Sequence, residues 1–238
     1  MTRPSRRLLL QCVAALAAWP AAARDIARYE RGPASADGIG KRYMGREIAQ
    51  VMGWQGASWL ERSEREKEER TDLLLAELRL RPGMTVADVG AGTGYIARRM
   101  ARAVGPTGRI LAVDLQPEML RLLAESARRE DLPQIVPVLG ADDDTKLPAS
   151  TVDLAVMVDV YHELEHPFEV LASVVRALKP GGRLVFVEYR AEDPAVPIKT
   201  LHKMSVAQIR REAAAHPLAF ERLGSRLPWQ HVVVFTRR

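Results

Sequence analysis

Two histidines in one short stretch are the first residues that suggest chemistry. The stretch Tyr161-His-Glu-Leu-Glu-His-Pro167 places His162 and His166 four positions apart with a glutamate between them. In zinc proteases such a pair binds the metal from one face of a helix, and the glutamate is the general base. Because proline disfavours the helical conformation of the residue before it, His166 is predicted to be extended or in a turn. We therefore expect that the pair forms no zinc site and that no metal is bound.

A glycine-rich turn offers a second kind of site. The stretch Val86-Ala-Asp-Val-Gly-Ala-Gly-Thr-Gly-Tyr95 ends an apolar run, and Gly90, Gly92 and Gly94 let a ligand approach the backbone closely. A dinucleotide-binding turn has the spacing Gly-x-Gly-x-x-Gly, so the third glycine comes one residue too early here. Asp88 lies two residues before the first glycine, where a carboxylate favours a cationic ligand over a pyrophosphate. A nucleotide-dependent dehydrogenase is therefore disfavoured.

The elements that must position these residues alternate along the chain. From residue 84 onward, short apolar runs alternate with longer helical patterns, which predicts a mainly parallel, doubly wound α/β sheet. The predicted elements are strands at 84–89, 109–113, 135–139, 152–160 and 183–189, and helices at 94–104, 117–129, 167–178 and 205–215. Strands at 220–223 and 231–236 are predicted to form an antiparallel hairpin at the sheet edge. A capping box at residues 63–66 predicts a charged helix that continues to about residue 80.

The glycine-rich stretch resembles the first motif of the class I S-adenosylmethionine-dependent methyltransferases. Further landmarks of that family follow in the expected order over residues 71–238. The resemblance implies a Rossmann-like fold with a seven-stranded sheet and S-adenosylmethionine as the cofactor. It also implies methyl transfer to an acceptor that no motif identifies, and we expect a small molecule rather than a nucleic acid.

The same resemblance assigns cofactor-binding residues. Asp88, Gly90, Gly92 and Gly94 belong to the first motif, and Asp114 matches the acidic residue that binds both ribose hydroxyls. A carboxylate suits a vicinal diol because it can accept two hydrogen bonds.

Two further positions are implied to contact the adenine. Leu115 is implied to lie against the ring, and either Asp142 or Asp143 is implied to meet its amino group. The sequence has three consecutive aspartates at this point, so the second assignment stays open between them.

By the same resemblance, Asp159-Val-Tyr-His-Glu163 is the loop beside the transferred methyl group. Histidine is the side chain that most readily accepts a proton near neutral pH, so His162 is a candidate for accepting the acceptor's proton. Asp159 or Tyr161 would orient the substrate or the methionine group. A capping or packing role for His162 is an open alternative. Two other functions remain: a cofactor-binding protein without catalysis, and the disfavoured zinc hydrolase.

The N-terminal residues are typical of an export signal. Residues 1–23 combine three arginines, an apolar run and a small-residue cleavage site, and Ser5-Arg-Arg-Leu-Leu-Leu10 resembles a twin-arginine signal. The apolar run is too short for a stable membrane span. We expect export, with a periplasmic location; without a working signal the protein would be cytoplasmic. The oligomeric state cannot be inferred from the sequence.

Removal of the signal changes the charge and removes the cysteine. The chain has 35 basic and 30 acidic residues, so losing Arg3, Arg6 and Arg7 lowers the formal charge from +5 to +2. This weakens the case for a nucleic-acid partner. The single cysteine, Cys12, leaves with the signal. Residues 24–70 are predicted to form a linker and a helical lid, the lid beginning near Lys41-Arg-Tyr-Met-Gly-Arg-Glu-Ile48.

Overall fold

The computed structural model describes residues 28–238, so the predicted signal at 1–23 lies outside the described residues. One sheet dominates the fold. Its strands are β4 (Thr85–Val89), β5 (Arg109–Asp114), β6 (Ile135–Leu139), β7 (Val152–Val158), β8 (Leu178–Arg190), β10 (Leu218–Gly224) and β11 (Gln230–Arg237). Their order across the sheet is β10-β11-β8-β7-β4-β5-β6. A two-residue strand, β9 (Lys203–Met204), pairs with the end of β8.

The central strands are parallel and the C-terminal ones are antiparallel. Strands β4 to β8 pair in parallel, whereas β11 runs antiparallel to β8, and β10 antiparallel to β11. The predicted seven-stranded, mainly parallel sheet with a C-terminal hairpin is thereby confirmed. The helices that connect or flank these strands are Tyr95–Val104, Pro117–Arg129, Pro167–Ala177 and Val206–Ala213.

Helices cover both faces of the sheet, and the core is divided accordingly. Neighbouring residues of β4 alternate between the two faces: Val86 packs with Met100 and Leu123, while Ala87 packs with Leu171 on the opposite side. Burial on both faces explains why the parallel strands read as continuous apolar runs. Among the described residues, none of the helices combines the length and apolar character needed to cross a membrane.

The strand order brings three loops to one edge of the sheet. Strand β4 lies between β5 and β7, and all three run in the same direction. Their carboxyl ends therefore lie side by side, where open α/β sheets bind ligands. The residues that follow these ends are the glycine turn after β4, Leu115 after β5 and Asp159 after β7.

The N-terminal segment differs from the predicted helical lid. Strands β1 (Tyr29–Arg31), β2 (Gly38–Tyr43) and β3 (Arg46–Ala49) form a separate antiparallel sheet. Met44 and Gly45, which join β2 to β3, both have positive φ, 49° and 87°. This backbone conformation matches the two-residue turns that connect hairpin strands. The prediction of helix for residues 41–48 is therefore wrong.

Short helices begin after this small sheet. A single 3₁₀ turn, Trp54–Gly56, leads into the helices Ala57–Leu60, Arg65–Glu69 and Thr71–Leu78. The helix predicted from residue 63 to about 80 is broken at Arg70, whose φ is 50°. A left-handed residue interrupts the helical hydrogen bonds, so the chain changes direction there.

Candidate active site

The glycine turn after β4 packs closely against the neighbouring strand. Gly90 and Ala91 donate their N–H groups to the Val113 carbonyl at 2.8 and 2.9 Å. Gly90 has a φ of 76°, and a Cβ added there would lie 2.4 Å from Val160. A side chain at Gly90 is therefore excluded both by the backbone conformation and by the loop after β7.

Asp114 is held at the end of β5 with both carboxylate oxygens oriented. The Gly92 N–H donates to Oδ2 at 2.9 Å, and the Gln116 N–H donates to Oδ1 at 2.9 Å. Burial raises the pKa of Asp114, the backbone donors oppose this rise, and the Glu163 carboxylate adds to it. Each oxygen keeps a lone pair for a further donor, so the group can bind the two hydroxyls of a ribose.

Two more carboxyl groups at this edge each have a buried oxygen without a hydrogen-bond partner among the described residues. These oxygens are Oδ2 of Asp88 and Oδ1 of Asp159. Burial raises the pKa of Asp88 to about 7, against the opposing effect of Arg65. Burial, with the charges of Glu69 and Glu188, raises the pKa of Asp159 well above its ordinary value. Buried oxygens without donors suit a cationic ligand.

A segment defined here as the cap, residues 54–69, covers the glycine turn. Leu60 and Arg65 line a cavity of about 30 Å³ together with Asp88 and Gly90. Arg65 is fixed by the Leu60 carbonyl and the Glu69 carboxylate, each at 2.8 Å. Pockets for ligands of cofactor size span roughly 300–1,000 Å³. The donor set fits S-adenosylmethionine, whereas this cavity beneath Leu60 and Arg65 is far smaller than such a ligand.

The predicted adenine contacts are exposed. Leu115 is 46% exposed, and Asp142 and Asp143 also face solvent. Asp144, the third aspartate, is instead paired with Arg176 at 3.1 Å and accepts the Lys146 N–H at 2.7 Å. Asp142 and Asp143 therefore have the more exposed side chains of the three aspartates, and the choice between them as the adenine contact stays open.

His162 lies in a 3₁₀ turn, Tyr161–Glu163, and is 1% exposed. Its Nδ1 is 2.6 Å from Oε2 of Glu188, a residue of β8 that is fully buried. The second oxygen of Glu188 accepts the Tyr161 N–H at 2.9 Å. Since an ionised carboxylate only accepts hydrogen bonds, Nδ1 of His162 carries the proton and the lone pair lies on Nε2. That nitrogen is 3.2 Å from Nδ1 of His202.

The histidine pair of the HELEH stretch is separated, as expected. His166 lies outside the turn of His162 and immediately precedes the helix Pro167–Ala177. Its ring packs edge-on against Tyr29, with the two centroids 6.0 Å apart. The prediction that the two histidines do not share a helical face is confirmed.

Tyr161 lies in the core rather than at the glycine turn. Its ring is fully buried and packs against Phe186, with the centroids 4.8 Å apart. Burial and the nearby Glu212 carboxylate raise the pKa of Tyr161 well above its ordinary value. The structure therefore brings His162 and Asp159 to the sheet edge, whereas Tyr161 is placed to support their loop.

Two residues of the site had weak signals in the sequence. Glu188 follows the apolar run of β8. A single carboxylate at such a position in a buried strand indicates that a hydrogen-bond partner lies nearby. Arg65 belongs to a charged run that is ordinarily a solvated helix face. The burial of Arg65 follows only from the tertiary structure.

Comparison with known proteins identifies the domain that this geometry belongs to. A family described as a methyltransferase domain matches residues 87–186, from the glycine turn to β8. Residues 87–186 are thus similar to a methyltransferase domain. The cofactor that this match implies is S-adenosylmethionine, in agreement with the donor set around Asp114.

The ubiquinone/menaquinone biosynthesis C-methyltransferase UbiE of Bordetella parapertussis is 32% identical over 129 residues. The match covers 53% of this chain and 49% of UbiE, so the chain spans about half the length of such relatives.

Two solved structures share the fold. A SAM-dependent methyltransferase from Aquifex aeolicus superposes with a TM-score of 0.75 at 23% identity, covering 79% of this chain and 100% of the other. The [4+2]-cyclase SpnF superposes with a TM-score of 0.61 at 17% identity, covering 87% and 89%. At these identities the likeness concerns the fold alone.

Proposed function

We propose that the protein transfers the methyl group of S-adenosylmethionine to a small-molecule acceptor. The observation that carries this proposal is the arrangement at the carboxyl ends of β4, β5 and β7. Asp114 offers two oriented oxygens to a diol, and Asp88 and Asp159 offer buried oxygens without donors to a cation. A ribose, an ammonium and a sulfonium are the groups of the cofactor that such donors and acceptors would bind.

The protein's own residues would contribute mainly by position. Bound S-adenosylmethionine supplies an electrophilic methyl group, so in-line positioning and exclusion of water account for most of the catalysis. Leu60 and Arg65 of the cap cover the glycine turn and would exclude water after the cofactor has entered. When no metal ion is bound, Nε2 of His162 would accept the proton of the substrate that receives the methyl group. Glu188 holds the other ring nitrogen, Nδ1.

The position of His162 indicates which chemical class of acceptor the protein would methylate. A general base contributes only when the reacting atom, or an atom conjugated with it, carries a proton. We infer an acceptor with an ionisable hydroxyl, enol or activated C–H group. The names of relatives such as UbiE specify a C-methyltransferase, which is compatible with this class, but the match covers only about half of UbiE.

The test combines binding with turnover. The purified protein is expected to bind S-adenosylmethionine with a Kd on the order of micromolar, about −8 kcal/mol. When supplied with S-adenosylmethionine and a small-molecule extract of cells, it should convert the cofactor to S-adenosylhomocysteine and methylate an acceptor in the extract. Hydrogen exchange in residues 54–69 should change on cofactor binding, since the cavity beneath them is about 30 Å³. Absence of binding would refute the proposal, and binding without product would favour a non-catalytic protein.

A second candidate function, binding of the cofactor without methyl transfer, is compatible with this fold. SpnF has this fold and is named a cyclase, so the fold by itself does not imply methyl transfer. The Glu188–His162 pair favours catalysis, because a protein that only binds the cofactor has no need of an oriented lone pair on the acceptor side.

The pKa of Asp88 predicts the pH dependence of binding. Because burial raises this pKa to about 7, the carboxyl is mostly neutral at pH 6 and mostly ionised at pH 7.5. A cationic ligand prefers the ionised form, so we expect the affinity for S-adenosylmethionine to rise on the order of fivefold over this interval. Titration calorimetry at both pH values measures the rise, and Asp88→Asn should bind more weakly with a flat profile.

The stability of the ligand-free protein should depend on pH in the opposite direction to the affinity. A folded pKa above the unfolded one stabilises the fold at low pH, and that contribution is lost as the pH rises to about 7. The melting temperature of the wild type minus that of Asp88→Asn should therefore fall over this range. A rise in that difference, or an equal pH slope of binding in both proteins, would contradict the role of Asp88.

We also propose that the protein is exported and acts outside the cytoplasm. The support is the basic and apolar pattern of residues 1–23, with the arginine pair Arg6-Arg7 ahead of the apolar run. Export through a route that carries folded proteins would let the enzyme leave the cytosol with its cofactor already bound.

A further inference from the structure

Three side chains next to the cofactor-binding edge converge on one point. Nε2 of His162 lies 3.2 Å from Nδ1 of His202 and 3.8 Å from Oε1 of Glu163. Nδ1 of His202 lies 3.3 Å from the same Oε1. These three atoms, called here the His–Glu–His trio, come from two 3₁₀ turns, Tyr161–Glu163 and Thr200–His202. Two imidazole nitrogens and one carboxylate oxygen form a ligand set typical of catalytic zinc sites.

The triangle formed by the trio has the size that a tetrahedral ion requires. Its edges of 3.2, 3.3 and 3.8 Å define a circle through the three atoms. The radius of that circle is about 2.0 Å, so an ion near its centre lies about 2.0–2.1 Å from each atom, which is the distance for zinc to nitrogen and oxygen ligands. Tetrahedral zinc with bonds of about 2.1 Å has ligand-to-ligand distances of about 3.4 Å, close to the observed edges.

The surrounding hydrogen bonds prepare His162 and Glu163 as ligands. Glu188 accepts from Nδ1 of His162 at 2.6 Å, which directs the lone pair of Nε2 into the trio. This is the carboxylate–histidine arrangement that orients metal-binding imidazoles. The second oxygen of Glu163 accepts the Met52 N–H at 3.3 Å, so the first oxygen is turned towards the histidines.

The trio also has an open side. His162 is buried, but the side chains of Glu163 and His202 remain 11% and 20% exposed. An ion held by three protein atoms would therefore have its fourth position towards solvent, which distinguishes catalytic from structural zinc sites. Glu163 lies close enough to Asp114 for their charges to interact, so the trio lies near the cofactor-binding edge.

We propose that His162, Glu163 and His202 bind a divalent transition-metal ion, best matched by Zn²⁺. This site differs from the HELEH pair, because His166 takes no part in it and His202 replaces it. The metal binding stands independently of the proposed methyl transfer. One consequence rests on that function: an acceptor oxygen in the fourth position would be acidified by the ion, which would take the place of His162 as the activating group.

The alternative is a hydrogen-bonded relay without a metal. Nδ1 of His202 would then donate to His162 or to Glu163, and no ion would be required. A relay explains one short contact between the histidines. It does not require all three atoms to lie at the corners of a tetrahedral face, which is why the metal site is the better account.

The test uses the full chain without an affinity tag, freed of metal by a chelator. Titration with Zn²⁺ in the presence of a competing chromophoric chelator should give one ion per chain with a Kd below micromolar. Co²⁺ serves as a spectroscopic probe, since tetrahedral coordination gives intense visible bands. Saturation at one equivalent with such bands is the expected result. Micromolar or weaker Zn²⁺ binding, or a Co²⁺ spectrum of the octahedral type, would overturn the proposal.

Matched variants assign the ligands. His202→Ala and Glu163→Gln should each weaken Zn²⁺ binding about 100-fold or more and abolish the tetrahedral Co²⁺ bands, while circular dichroism confirms that both fold. His166→Ala is the control, because it removes a histidine of the same stretch that lies outside the trio, and its affinity should match the wild type. Equal affinities in His202→Ala and the wild type would refute the site. A larger loss in His166→Ala than in His202→Ala would also refute it, and would restore the HELEH pair.

Discussion

Replacing Asp114 by alanine is expected to lower the affinity for S-adenosylmethionine about 100-fold, about 2.7 kcal/mol. The carboxylate is the one charged acceptor at the end of β5 whose two oxygens are both fixed by backbone donors, Gly92 N–H and Gln116 N–H. Hydrogen bonds to a charged group contribute about 1.5–3 kcal/mol each, and two ribose hydroxyls would lose this partner. Titration calorimetry on the folded variant measures the loss.

Two further variants separate a binding role from a structural one. Asp114→Asn keeps the size of the side chain and one acceptor, so its affinity should fall between that of the wild type and that of Asp114→Ala. Asp72→Ala removes an exposed carboxylate that pairs only with Arg70 among the described residues, and binding should be unchanged. Undiminished affinity in a folded Asp114→Ala would exclude Asp114 from the site.

The parallel sheet was predictable because its strands are buried on both faces. An apolar run such as Leu184–Val187 ends where a polar residue begins, so the approximate positions of strands could be inferred from the sequence. The prediction for β8 nevertheless began five residues too late, at 183 instead of Leu178. Residues 179–182 include a proline and two glycines, which ordinarily indicate a loop.

The small N-terminal sheet was not predictable by the same argument. Its strands bury charged side chains: Lys41 and Glu47 are both buried, so the alternation of apolar and polar residues is lost. Tertiary contacts make this possible. The Lys41 ammonium lies 4.1 Å from the Tyr29 ring centroid, and Glu47 accepts N–H groups of Ser35 and Gly40 at 2.9 and 3.2 Å. Such compensation comes from residues 7 to 12 positions away, outside the strand that carries each charge.

The residues of the candidate site also differ in whether they could be predicted from the sequence. Asp114 and the glycines could be proposed through the resemblance to methyltransferase motifs, because a single turn and the end of one strand define their positions. The surroundings of His162 could not be, since Glu188 and His202 lie 26 and 40 residues away in sequence. Only the pairing of β7 with β8 brings Glu188 beside the loop that follows β7. A role for His162 therefore depends on sheet register, which no local motif encodes.

Hydrogen bonds at the start of the cap connect the surroundings of Asp114 with those of Glu163. Gln116, two residues after Asp114, donates to the Met52 carbonyl and accepts the Trp54 N–H, at 3.0 and 2.7 Å. Met52 in turn donates its N–H to Glu163. A displacement of residues 54–69 by the cofactor would thus act on Glu163 through a few hydrogen bonds. Cofactor entry and the geometry on the acceptor side are therefore expected to be coupled.

Export is the remaining property with a large expected effect. Residues 1–23 carry the proposed signal, and the twin-arginine route reads the arginine pair as an address. Replacing both Arg6 and Arg7 by lysine is expected to retain nearly all of the protein, uncleaved, in the cytosol. Cell fractionation with detection of both precursor and mature forms measures the distribution.

The lysine substitution separates two export routes because it leaves the charge unchanged. A general secretory signal needs only a basic start and an apolar core, so it should tolerate the change. Equal amounts of cleaved protein outside the cytoplasm in both versions would exclude the twin-arginine route while keeping export. Wild-type protein found only uncleaved in the cytosol would refute export itself. Under the twin-arginine route the protein folds before transport, so Asp114 and the cap could hold the cofactor during passage, and exported protein should contain it.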